Sequence, residues 1–308
     1  MPFLPTVLAQ CADRKRLAKE NPRLAGPDTW LPTVISKCVD LCCVHFDYFI
    51  NWQSGQLDRD FWLKCPIDAG QLPGWRNLDD AGASRILRGH SEFRALVKFA
   101  GLNQASATAI LFDDSQDWKS ESSEVLLAHW PKDADTAKGL KLSRLTRPQI
   151  EDVIRRKSGG PIAIGSKGLI YGTSCLECFL SRTDALWPGD ADLLLCEKAS
   201  MRPIAIIEYK KHTESSKLEF SDQRISNYYP RPDGRKYDRL ALLAEQIVPE
   251  SRISLFTIYY STIESELQVK LEEVTGESGR LKSGREFSFD ISPDDPEGGY
   301  EQVIAAVR

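Results

Sequence analysis

The chain has 308 residues, 42% hydrophobic, 27% charged and 9% aromatic, and its 40 basic and 44 acidic side chains give a formal net charge of -4. This composition excludes a disordered or fibrous protein, and the mild acidity excludes one that coats nucleic acid by bulk charge. The length lies near the limit for a single core, which predicts two domains or one elaborated domain.

The stretch from Met1 to Arg16 has no basic flank leading into an apolar run, so no secretory signal is expected and a cytoplasmic location is predicted. The most apolar stretch, Pro32 to Trp52, is broken by Lys37, Asp40, His45 and Asp47. A membrane-spanning helix needs about 20 nearly uninterrupted apolar residues, so a buried helix over Thr33 to Trp52 is expected instead, with no membrane partner. Cys38, Cys42, Cys43 and His45 fall inside this pattern, and Cys65 follows. Without a matching second ligand pair they read as core packing and not as a zinc site. The eight cysteines are too few for a disulfide scaffold and are expected to stay reduced, with Cys175 and Cys178 also packing residues.

Ser91 to Ala100 has helical periodicity, while Ala107 to Phe112 and Val125 to Trp130 read as short strands. Turn-rich material, Asp68 to Asp80 and Asp113 to Ser123, separates them. No chemical motif and no internal repeat stands out here. Residues 1–140 therefore read as an additional N-terminal α/β domain for recognition, a protein partner or a second copy, and the polar segment Pro131 to Lys141 reads as its boundary.

Residues 141–308 form the second predicted domain. Thr146 caps a helix opening Arg147-Pro148, because proline is tolerated where its missing N–H has no intrahelical partner. Thr173 or Ser174 precedes a short helix, Cys175 to Ser181, which carries Glu177, and a turn follows at Trp187-Pro188-Gly189. Asp192 to Cys196 and Pro203 to Lys210 read as a hairpin across a polar turn. A helix over Lys236 to Ile247, a buried strand over Arg252 to Tyr260, weaker strands over Leu267 to Val274 and Glu286 to Ile291, and a final helix over Tyr300 to Val307 complete the pattern. Alternating strands and covering helices predict a mixed central β-sheet flanked by helices.

The apolar strand Ile204 to Ile207 ends in Glu208 and Lys210, which project from one face because side chains alternate along a strand. Asp190 and Asp192 share a parity by the same rule, and Asp192 borders Leu193-Leu194-Leu195. Pairing across the turn brings Asp192 toward Glu208. Two crowded carboxylates repel unless a cation neutralises them, and oxygen ligands from one or two carboxylates describe a Mg²⁺ site. Lys210 beside them suits stabilisation of charge on a phosphate.

This arrangement, Asp190-Ala191-Asp192 before an apolar run and Ile206-Ile207-Glu208-Tyr209-Lys210 at a spacing of 16 from Asp192 to Glu208, resembles the PD-(D/E)XK nuclease superfamily. The resemblance covers roughly Thr146 to Tyr260. It implies a restriction-endonuclease-like core of helix, three-stranded meander, helix and strand. It also implies Mg²⁺ or Mn²⁺ as cofactor and hydrolysis of DNA or RNA phosphodiester bonds, endo or exo. By carry-over Asp192 and Glu208 would be metal ligands, with Asp190 the second choice, Lys210 would orient the nucleophilic water, and Glu177 would be an accessory group. By analogy with the fold, a defence or mobile-element effector is one setting for such an enzyme. The alternative is a noncatalytic module for binding nucleic acid or protein that keeps the fold. Next to the motif, Lys211, Tyr228, Arg231, Arg235 and Lys236 interleave aromatic and basic groups, the pattern of a nucleic-acid-binding wall in which tyrosines stack on bases. His212, beside two lysines, reads as structural or solvated.

Overall fold

The computed structural model describes residues 2–12, 27–132, 139–161, 169–185, 187–213, 216–263, 267–292 and 295–308. Along the chain run β1 (Ala9–Gln10), α1 (Pro27–Lys37), β2 (Leu41–Tyr48), β3 (Ile50–Asn51), β4 (Gln56–Leu57), β5 (Asp60–Pro66), α2 (Asp80–Arg88), α3 (Ser91–Leu102), β6 (Ser106–Phe112), β7 (Glu124–Trp130), β8 (Lys141–Thr146) and α4 (Arg147–Lys157). The chain continues with β9 (Tyr171–Gly172), α5 (Cys175–Leu180), β10 (Gly189–Glu197), β11 (Pro203–His212), α6 (Gly234–Gln246), β12 (Ser254–Ser261), β13 (Gln268–Thr275), β14 (Lys282–Asp290) and α7 (Pro296–Val307). No described helix is long and apolar enough to cross a membrane.

These elements form two compact mixed α/β units, and the chain passes between them more than once. One unit is built on Phe46–Asp190 with the first residues of the chain, and the other on Ala191–Arg308 with the segment that ends at His45. The predicted division at 140/141 is thereby corrected, for reasons that lie in packing. Strand β8 pairs antiparallel with β7, and Leu176 and Leu180 of α5 fill the core around Trp62, Ile110 and Ile150, so residues well beyond 141 complete the first unit. Leu31, Val34 and Ile35 of α1 fill the core around Leu193, Ile207 and Phe256, so an N-terminal helix completes the second. The boundary segment Pro131 to Lys141 lies largely outside the described residues.

In the first unit, the end of β2 is antiparallel to β5, β5 is parallel to β6 across the α2–α3 crossover, and β6, β7 and β8 continue antiparallel. The second unit has the first half of β2 beside β10, β10 antiparallel to β11, β11 parallel to β12 across α6, and β12, β13 and β14 antiparallel. One topology thus occurs twice, a repeat that the residues themselves do not display. Parallel neighbours need a helical crossover, whereas antiparallel ones need only a turn, which is why helices fall at the same place in both units.

Two other expectations are corrected. The helix predicted over Thr33 to Trp52 ends at Lys37, and Leu41 to Tyr48 is a strand. Val44, Phe46 and Tyr48 are strand formers that alternate with His45 and Asp47, the period of a strand, although both faces are buried at the strand's end. Cys11 and Cys178 form a disulfide with Cα atoms 5.3 Å apart, beside the antiparallel pairing of β1 with β9. Cys178 was expected to be reduced, since a separation of 167 residues gives no local sign of a pair. Cys38, Cys42, Cys43, Cys65 and Cys175 are free thiols. At α4, Gln149 Oε1 accepts the Thr146 N–H at 2.8 Å, and Pro148 lies in the first turn, as the sequence predicts.

Candidate functional site

Strand β11 is apolar and buried up to Ile207, and its end carries the charges. The register Leu193↔Ile207 places Asp192 opposite Glu208, one step along the antiparallel pair. Glu208 is almost fully buried, with 1% of its side chain exposed, and Lys210 Nζ lies 3.4 Å from Glu208 Oε1. The two therefore share a face. Asp192 Oδ2 accepts the Tyr209 N–H at 2.8 Å, and the Asp192 carbonyl accepts a hydrogen bond from His45 Nδ1 at 2.5 Å, which makes that ring nitrogen the donor.

Helix α6 brings a second cation. Lys236 Nζ lies 2.8 Å from Glu208 Oε1 and 3.9 Å from Asp192 Oδ1, so one ammonium serves both carboxylates. Asp233, which precedes α6, holds Lys210 Nζ at 2.6 Å. The rings of Tyr228 and Tyr237 flank Lys210 at 5.0 and 5.4 Å from its ammonium. Burial works to neutralise Lys210, but Glu208 and Asp233 prevail over that and over the repulsion of Lys236, and they hold its pKa above the ordinary lysine value. The centre opens to solvent through Lys236 and Asp233, whose side chains are 32% and 34% exposed.

Other predicted residues lie elsewhere. Glu177 belongs to the first unit, where the Thr173 N–H and hydroxyl both donate to its Oε2 at 2.7 Å and Lys64 Nζ lies 3.8 Å away. Asp190 also belongs to the first unit, where its charge acts on Asp47 and Lys64. Of the two aspartates, Asp192 is thus the one whose carboxylate reaches Lys236. Sequence proximity misassigned both residues because the division between the units falls between Asp190 and Ala191.

Tyr228 is half-buried, stacks against Tyr259 and donates its hydroxyl to Gln223 Oε1 at 2.6 Å. Its ring supports Lys210 and is not the open platform for bases expected from the sequence. Lys211, Arg231 and Arg235 are exposed. His212 is buried, with Gln223 Nε2 3.2 Å from its Nδ1, which is the structural role expected for it. Asp233 was missed, although an acid directly before a helix with Lys236 in its first turn was the available signal.

The donor chemistry suits a hard divalent cation. Among the described residues no three His, Cys, Asp or Glu side chains gather as a complete cage. Mg²⁺ does not require one, because it commonly takes one or two carboxylates and completes its shell from water and phosphate. Lys236 marks a position where a positive group meets Asp192 and Glu208 together, so these two residues would hold the ion. Comparison of the chain with protein-family models, curated proteins and solved structures found no match.

Proposed function

We propose that the protein is a metal-dependent nuclease that hydrolyses phosphodiester bonds of DNA or RNA at the Asp192–Glu208–Lys210 centre. One observation carries this reading: Glu208, buried at a strand end and opposite Asp192, meets two ammonium groups at 3.4 and 2.8 Å in a centre that opens to solvent. A buried acid beside two ammonium groups in a centre that opens to solvent is a candidate functional site. A bound Mg²⁺ or Mn²⁺ would supply Lewis-acid polarisation of the phosphate and a more acidic water.

The chain's own residues would do the rest. Asp192 and Glu208 would hold the cation through their carboxylate oxygens. Lys210, kept protonated and held by Asp233 and two tyrosine rings, places a fixed positive charge beside the scissile phosphate. Lys211, Arg231 and Arg235 present positive charge at the exposed end of β11, before α6 and in its first turn, where a polyanion backbone can be held. Support for the fold comes from α6, which lies in the chain between the parallel strands β11 and β12, the helix-and-strand order that the resemblance to PD-(D/E)XK nucleases implies after the motif.

The second reading is a noncatalytic module that binds nucleic acid or protein. It is favoured by Lys236, which neutralises both carboxylates with no further cation. A digestion panel separates the two. Wild-type protein with Mg²⁺ or Mn²⁺ is expected to cut single-stranded DNA, double-stranded DNA or RNA, and Glu208→Ala and Lys210→Ala to lower the rate by at least about 10²-fold while circular dichroism stays unchanged. Binding without cleavage, or equal cleavage by wild type and both variants, would overturn the nuclease reading.

A further inference from the structure

The first unit contains a counterpart of the Asp192–Glu208–Lys210 centre at matching strand positions. Asp47 on β2 pairs with Trp62 on β5, as Asp192 stands opposite Glu208. Lys64 follows Trp62 by two residues, as Lys210 follows Glu208. Across the parallel pair, Trp62 aligns with Thr108 and Glu208 aligns with Thr257, and both threonines are buried. Aspartate, lysine and threonine recur in register, and the residue that differs is the second acid.

Its replacement changes what the centre can do. Trp62 is fully buried, donates its indole N–H to Asp60 Oδ2 at 2.8 Å and packs against Phe49 and Trp187. Bulky rings fill the position where the second unit carries a carboxylate. Lys64 Nζ accordingly turns to Asp47 at 3.5 Å, Glu177 at 3.8 Å and the Thr173 hydroxyl at 2.8 Å, with the Trp187 ring 5.5 Å away. The side chains of Asp47 and Lys64 are only 5% and 10% exposed.

We propose that the Asp47–Lys64 centre is a structural ion pair that takes neither metal nor substrate, so that, of the two counterpart centres, the one in the second unit alone is reactive. The count of reactive centres rests on the nuclease reading, while the structural role of Lys64 does not. The roles follow from charge balance. Lys64 is the cation shared by Asp47 and Glu177, so removing it leaves buried carboxylates uncompensated, whereas removing Lys210 leaves Lys236 still on Glu208.

The experiment crosses two readouts, thermal unfolding and cleavage, at pH 8, above the raised Asp47 pKa, over Lys64→Met, Asp47→Asn and Lys210→Met in the full chain. Lys64→Met is expected to lower the unfolding midpoint by roughly 5–10 °C. At temperatures where they are folded, Lys64→Met and Asp47→Asn are expected to cleave within about twofold of wild type. Lys210→Met is expected to abolish cleavage and move the midpoint by only about 1–2 °C. Should Lys64→Met not fold at all, the structural role stands and Asp47→Asn, nearly equal in shape, carries the cleavage arm. Loss of cleavage in folded Asp47→Asn, or an equal fall in midpoint for Lys210→Met and Lys64→Met, would overturn the proposal. Absence of cleavage by wild type would overturn the nuclease reading alone, because the thermal arm needs no activity.

Discussion

Where the second unit carries Glu208, the first carries Trp62, and around that difference the two centres are built in opposite ways. The first is closed, with Lys64 enclosed by Asp47, Glu177, Thr173 and the ring of Trp187. The second keeps its buried acid and stays open through Lys236 and Asp233 on and beside α6. On the proposed reading, the same backbone arrangement serves packing in one unit and chemistry in the other, and the two centres differ at that strand position in one side chain. A fold by itself does not name a function.

The comparison breaks most directly by truncating the two residues at that position. Trp62→Ala removes a fully buried indole and is expected to cost about 3–5 kcal/mol, read by urea unfolding. Glu208→Ala is expected to cost distinctly less, because Lys210 retains Asp233 as partner. An equal loss at both positions would show that Glu208 is as structural as Trp62.

Titration gives a second, somewhat smaller contrast. Burial, with the charges of Asp190 and Glu177, pushes the Asp47 pKa up to about 7 against the pull of Lys64. In the unfolded chain this group titrates near the ordinary aspartate value of 3.8, so between those two pKa values the native state holds a proton that the unfolded state has lost. Its stabilising contribution is complete below the unfolded pKa and is lost as pH rises through the folded one. Wild type is thus expected to lose on the order of a few kcal/mol from pH 4 to pH 8 through this group, and Asp47→Asn to flatten that slope in denaturant titrations. A variant with the wild-type slope would remove Asp47 as the source.

The smallest effect sharpens the open centre. Lys236 lies against both proposed ligands, so it competes with a bound cation. Lys236→Met is expected to tighten Mn²⁺ binding by roughly tenfold in calorimetric titration, the size of one nearby charge in a largely aqueous setting. Unchanged or weaker binding would argue that Asp192 and Glu208 are not the ligands.

Much of the second unit was legible residue by residue. Apolar runs bounded by polar turns located β10 and β11, and side-chain parity put Glu208 and Lys210 on one face. The first unit was harder to read because β5 is buried on both faces, so Phe61 to Leu63 show no period of two, and because the alternation of Val44, Phe46 and Tyr48 with His45 and Asp47 follows the unbroken apolar run Leu41 to Val44. Lys64 inside such a run gave no sign that Asp47, Glu177 and Thr173 converge on it from three other segments. Glu177 and Asp190 precede the division between the units, so nearness in sequence to Asp192 does not place them in its centre.

The amino-acid order alone determined the mixed α/β character, the position of the charged strand end and the Asp192, Glu208 and Lys210 set, because these depend on local period and parity. Tertiary structure decided which segments complete each unit, that Cys11 meets Cys178, that Lys236 joins the acids, and that one topology occurs twice. Those features depend on contacts between residues far apart in the chain, and burial on both strand faces erases the pattern that would announce them.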